Sequence, residues 1–93
     1  MARTFTAHEG HHELHGITVV VETRGPELWV GRCHDIDATG VTLRDADVHR
    51  DGESGSARDA WLQRAAAVGV FPRHSRVLIP AGETVSVRRL VDL

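Results

Sequence analysis

Lysine is absent from this chain, aromatic residues are few, and cysteine occurs once. Every strong base is therefore arginine, a usage that a GC-rich coding bias accounts for as readily as any function. The lone thiol, Cys33, excludes an internal disulfide and suits a reducing compartment. No apolar run approaches the ~20 residues that span a bilayer. The opening MARTFTAHEGHH also lacks the apolar core of a signal peptide. The expectation is a cytoplasmic protein with no membrane role. A strong basic surplus, the usual mark of a nucleic-acid binder, is missing too, since the formal net charge is −2. Nor is there a plausible catalytic triad, a phosphate-cradling glycine loop or an evident pair of catalytic carboxylates. A non-enzymatic protein without a cofactor is expected.

What is present is a chain of 93 residues, enough for one domain with a modest core, so that self-association would add useful stability. Charge is unevenly placed. Residues 1–55 hold five Arg against ten acids, and residues 56–93 hold six Arg against three. A local basic face from Arg58, Arg64, Arg73, Arg76, Arg88 and Arg89 is compatible with that split.

Residues 1–16 are polar and histidine-rich, and residues 17–93 read as a single β-rich domain. Ile17 to Thr23 is β-branched, with Ile17, Val19 and Val21 on one face and Val20 on the other. Arg24-Gly25-Pro26-Glu27 makes a turn. Leu28 to Asp37 is the longest strand, and Gly31 in its middle marks a bend or bulge. Ala38-Thr39-Gly40 closes a hairpin into Val41–Val48. Residues 50–56 form a loop, and the period then becomes helical over about residues 56–69. Ser56 is the expected N-cap, and Trp61, Leu62, Ala65, Val68 and Gly69 form the inward stripe, with Trp61 as anchor. Arg76–Ile79 and Thr84–Leu90 complete five strands, with Val85 and Val87 facing one way. The layout predicts a mainly β fold: a five-stranded, bent antiparallel SH3-like barrel with a helical insert between strands 3 and 4.

Gly31, Cys33, Ile36 and Asp37, followed by Val41, Leu43, Asp45, Ala46 and Asp47, resemble the first motif of the Sm-like family of small RNA-associated barrels. Val77-Leu78-Ile79, Gly82, Val85 and Val87 are similar to its second motif. The resemblance covers roughly residues 16–48 and 76–90, and it implies an Sm-like barrel that assembles into a homo-oligomeric ring and binds RNA. The usual pocket residues are replaced. Gly40 stands where an asparagine is expected, Pro80 where an arginine is expected, and the lysine-histidine pair of the bacterial branch is missing. Those changes remove the pocket's specific hydrogen-bond donors. RNA contacts are then expected from Asp37 and Gly40 by position, and from Arg73, His74, Arg76 and Arg88 by charge. The alternative is a structural SH3-like barrel that recruits a protein partner along its strand edges.

Two clusters suggest metal chemistry without requiring it. His8, His11, His12 and His15 form the densest histidine cluster; on a helix His8, His11 or His12, and His15 would share a face, and His8 to His12 formally matches H-E-x-x-H. That motif demands a stable helix in a walled cleft, whereas this one contains Gly10 near the start of the chain, so a solvated segment is the simpler expectation. Asp45, Asp47 and His49 alternate along the third strand and are expected on one face, as a divalent-metal patch or as plain solubility residues. A metal-binding sensor is the third reading. Phe71 lies among Pro72, Arg73, His74 and Arg76; such a segment either stacks bases or packs Phe71 inward as a connector. The inward packing is preferred.

Overall fold

The computed structural model describes residues 14–51 and 57–92. Its elements are β1 (Thr18–Thr23), β2 (Glu27–Asp37), β3 (Gly40–Arg50), α1 (Arg58–Val68), β4 (His74–Pro80) and β5 (Thr84–Arg89). A 3-10 turn, Ala81–Glu83, joins β4 to β5, and a second one, Leu90–Asp92, follows β5. The strands make one antiparallel sheet in the order β4-β3-β2-β1-β5. The expected mainly β architecture, with its helix between the third and fourth strands, is present.

Elementary geometry requires the sheet to curl. Its two end strands, β4 and β5, are four strand spacings apart, about 19 Å if the sheet were flat. The link from Pro80 to Thr84 is three residues and reaches about 14 Å even fully extended. Curling brings the two ends within reach, although β4 and β5 do not pair with each other among the described residues. The inner face holds Val19, Val21, Cys33, Ile36, Val41, Leu43, Ala46, Ile79 and Val87, drawn from all five strands. Leu14 closes one end of this core.

Two irregularities let the sheet bend. Val30 pairs with Asp47 and Arg32 with Arg44, so Gly31 faces two residues of β3, Asp45 and Ala46. The extra residue therefore lies in β3 rather than in β2, where the glycine is. Asp45 takes it up with φ 51°, a left-handed conformation that aspartate tolerates better than most residues. Farther along, Cys33 pairs with Leu43 and Asp35 with Thr42, which leaves His34 as the extra residue of β2. That shift keeps Cys33 and Ile36 on the same inner face. A third shift, between Glu22 and Thr23, leaves Val85 without a partner in β1. Val85 is consequently 61% exposed while Val87 is buried, against the expectation that the two face one way.

The β3 bulge also corrects the expected alignment of Asp45, Asp47 and His49. Before it, the odd residues Val41 and Leu43 point to the inner core; after it, the even residue Ala46 does. Asp45 is exposed at the bulge, and Asp47 and His49 are buried on the opposite face of the sheet. Alternation fails as a guide wherever one residue is inserted into a strand.

That opposite face is covered by α1. Val20, Leu28, Val30 and Leu90 form a second apolar cluster with Ala65 of the helix, and Trp61, Leu62 and Val70 pack against it. The run Arg58–Val68 is alanine-rich, which favours helix locally. Gly69, at φ 93°, stops it and donates its N–H to the Ala65 carbonyl at 2.9 Å. The expected cap Ser56 lies outside the described residues; the N-cap position is Ala57, which supplies no side-chain cap. The inward stripe holds for Trp61, Leu62 and Ala65 and fails at Val68, which is 77% exposed.

Candidate functional site

The far end of α1 and the start of β4 enclose an open cleft of about 290 Å³, lined among others by Asp47, Trp61, Arg64, Phe71 and Arg73. Asp47, one of two buried polar residues on this face among the described residues, lines the cleft, and the other, His49, lies behind Trp61. Asp47 Oδ1 accepts the Val48 N–H at 2.9 Å and lies 3.9 Å from Arg73 Nε. The His49 ring lies 5.5 Å from the Trp61 ring, and its Nε2 lies 3.6 Å from Asp51 Oδ1. Asp51 in turn accepts from the Arg58 guanidinium at 2.9 Å. His49 is thus held between the indole of the helix and the carboxylate that anchors the helix's first turn.

Phe71 is 70% exposed, which corrects the expected inward packing. In the connector from Gly69 to Arg73 it is Val70 that packs against the second apolar cluster, which leaves Phe71 outside it. Arg73 covers it, with the guanidinium carbon 5.4 Å from the ring centroid. One edge of the cleft therefore presents an exposed aromatic face, two guanidiniums (Arg64 and Arg73) and a carboxylate. Such a group of side chains stacks a planar ring, holds an anion and accepts a hydrogen bond.

The remaining sequence candidates do not join this cleft. Asp37 caps the β2–β3 hairpin: its Oδ1 accepts the Thr39 N–H at 2.8 Å and the Thr39 hydroxyl. These two bonds, side-chain first, with a further one from the Gly40 N–H, hold its carboxyl below the usual carboxylate range. Gly40 lies across from Pro80, with φ 147°, and any Cβ there would run into the Ile79 carbonyl oxygen. Both residues do structural work in the hairpin. His74 packs edge-on against Trp29 at 5.2 Å. Arg88, on β5, lies 3.3 Å from Glu22. Arg76 lies opposite Arg44 on β3 and does not line the cleft.

No metal centre forms among the described residues, where no group of three His, Cys, Asp or Glu comes together. His8, His11 and His12 lie outside the described residues. His15 lies beside β2, its Nδ1 2.6 Å from the His34 carbonyl oxygen. Cys33 is buried, and burial first, then the Asp35 charge, pushes its thiol up to about 11. A buried thiol so protonated is a packing group rather than a nucleophile. Among the described residues no helix is long and apolar enough to cross a membrane.

A second cleft of about 260 Å³ was not foreseen, and it is bounded by His15, Gly16, Arg32, Cys33, His34 and Arg44. The signal for it lay in strand register: Arg44 and Arg76 are partners in the unshifted β3–β4 pairing, and the shift at His34 sets Arg32 opposite Arg44 instead of Asp45. Fold and clefts together define, over the described residues, a small curled antiparallel sheet with the helix α1 packed across its outer face. The chain matches no family model, and no curated protein is similar enough to match it.

Proposed function

We propose that this protein is a non-enzymatic, cytoplasmic Sm-like module that self-associates through the free edges of β4 and β5 and holds single-stranded RNA at the Phe71–Arg73 cleft. The observation that carries the binding reading is the exposed Phe71 ring beneath the Arg73 guanidinium. Aromatic faces stack any base, and adjacent guanidiniums engage phosphates, so affinity without strong sequence preference follows. The family resemblance lends support: its first motif falls on the adjacent strands β2 and β3, and its second on β4 and β5.

Self-association draws support from the strand order. β4 and β5 each end the sheet, and each carries an exposed apolar residue, Leu78 and Val85. Two unlike edges on one chain favour head-to-tail pairing, which closes into rings or runs on as filaments.

The test combines light scattering with an RNA titration at two salt concentrations. Wild type is expected to form a defined oligomer, and Leu78→Lys with Val85→Lys to disperse it. Oligo-U binding is expected to weaken steeply with salt and to fall about tenfold or more in Phe71→Ala. A strict monomer with no affinity at low salt overturns the reading. A stable oligomer without RNA affinity favours the second reading, a protein-interaction module, for which the exposed Val68 beside Phe71 is the supporting observation.

A further inference from the structure

We propose that the outer surface of β2, β3 and β4 carries an oxyanion site for a phosphoryl group, formed by Arg32, Arg44 and Arg76 with His15 and His34. It is separate from the Phe71 cleft and independent of the function proposed for that cleft.

The argument starts from a cost. Like charges directly opposite one another in a sheet destabilise it. Here three arginines on three consecutive strands are register partners, Arg32 with Arg44 and Arg44 with Arg76, and all three are exposed. Among the described residues only Arg32 of the three is neutralised, by Asp45 at 2.6 Å. Among the described residues neither Arg44 nor Arg76 makes an ion pair. A row of guanidiniums supplies a fork of N–H donors suited to the oxygens of a phosphoryl group.

The histidines complete a concave site in place of a flat patch. The Gly16 N–H donates to the Cys33 carbonyl at 2.7 Å, and the Cys33 N–H donates to the Ile17 carbonyl at 2.8 Å. These two bonds pin the His15–Gly16 segment as a wall beside β2, with the His15 and His34 ring centroids 5.6 Å apart. Because a carbonyl oxygen only accepts, His15 Nδ1 carries the proton in its bond to His34, and Nε2 becomes a donor only when the ring is protonated. His34 is held below the ordinary imidazole value, chiefly by burial and then by Arg44, His15 and Arg76, with Asp35 opposing. A bound anion cancels the three cationic contributions, so binding takes up protons. Among the described residues the acidic groups facing the site are Asp45, on Arg32, and Asp35, beside His34; Cys33 lies beneath it, protonated.

The probe is inorganic pyrophosphate, titrated calorimetrically into the full chain in chloride buffer at pH 6 and at pH 8. Binding is expected, several-fold tighter at pH 6, and weakened by about tenfold or more in Arg44→Gln and in Arg76→Gln. Each exposed variant should also melt higher than wild type without ligand, because a repulsion is relieved; this separates lost binding from lost folding. Competition by an oligonucleotide without terminal phosphates assigns the site to nucleic-acid backbone, and competition by free nucleotides alone assigns it to small phosphates. Absence of pyrophosphate binding at pH 6, or binding unchanged in both variants, overturns the proposal.

Discussion

Gly31 and Ala46 approach so closely across β2 and β3 that a Cβ on Gly31 would stand 2.7 Å from the Ala46 Cβ and 2.9 Å from its Cα. Gly31→Ala must therefore push the two strands apart at the bulge that bends the sheet. We expect a loss of about 1–3 kcal/mol, the range for overpacking a filled core. Urea denaturation checks it through a lower midpoint at unchanged slope. Adding Ala46→Gly should recover part of the loss and no more, since the Ala46 Cα remains in the way.

Trp61 fastens the helix to the sheet through His49 and the Val20–Leu28–Val30 cluster. The indole is only partly buried, so Trp61→Ala is expected to cost about 2–3 kcal/mol, below most fully buried aromatics. Trp61→Phe should keep most of that stability. In a proton spectrum the His49 ring resonances should lose their indole ring-current shift in the alanine variant alone.

Cys33 keeps its proton more firmly in the folded chain than its ordinary value of 9.0 allows. Its contribution to stability is therefore whole below pH 9.0 and declines as pH rises from there towards about 11. In native protein at pH 8 a thiol reagent should label it at a small fraction of the rate seen in denaturant. Rapid native labelling would contradict the burial of this strand.

Asp37 titrates in the opposite sense. Its carboxyl is lowered by bonds from Thr39 and Gly40, so its contribution is present above 3.8 and lost as pH falls through the lowered value. Asp37→Asn should lower the melting temperature at neutral pH and flatten its dependence on pH in the acid range. A variant that melts like wild type at neutral pH would show that the hairpin does not rely on this cap.

Much of the fold was legible from residue type. The β-branched run from Ile17 placed Val19 and Val21 on one face and Val20 on the other, where two separate cores hold them. Trp61, Leu62 and Ala65 announced the helical face in the same way. The departures gather at inserted residues. Asp45, His34 and Val85 each break a strand's alternation, and no local propensity fixes which strand of a pair absorbs the extra residue. For that reason the sequence does not show the arginine row, and the expected Asp45–Asp47–His49 patch loses Asp45 while Asp47 and His49 keep a common face. Phe71 was misjudged for another reason: its surroundings depend on where the helix stops relative to β4, a tertiary fact.

The left-handed turn of the backbone at Asp45 makes β3 a strand whose length matters more than its lettering. Removing or adding one residue between Val41 and Asp45 would rotate everything downstream by half a turn, driving Asp47 and His49 into the apolar interior and Ala46 out beneath the helix. Homologous chains should thus vary in side chain along this stretch while keeping its residue count constant, and length changes should accumulate instead in the β3–α1 connection.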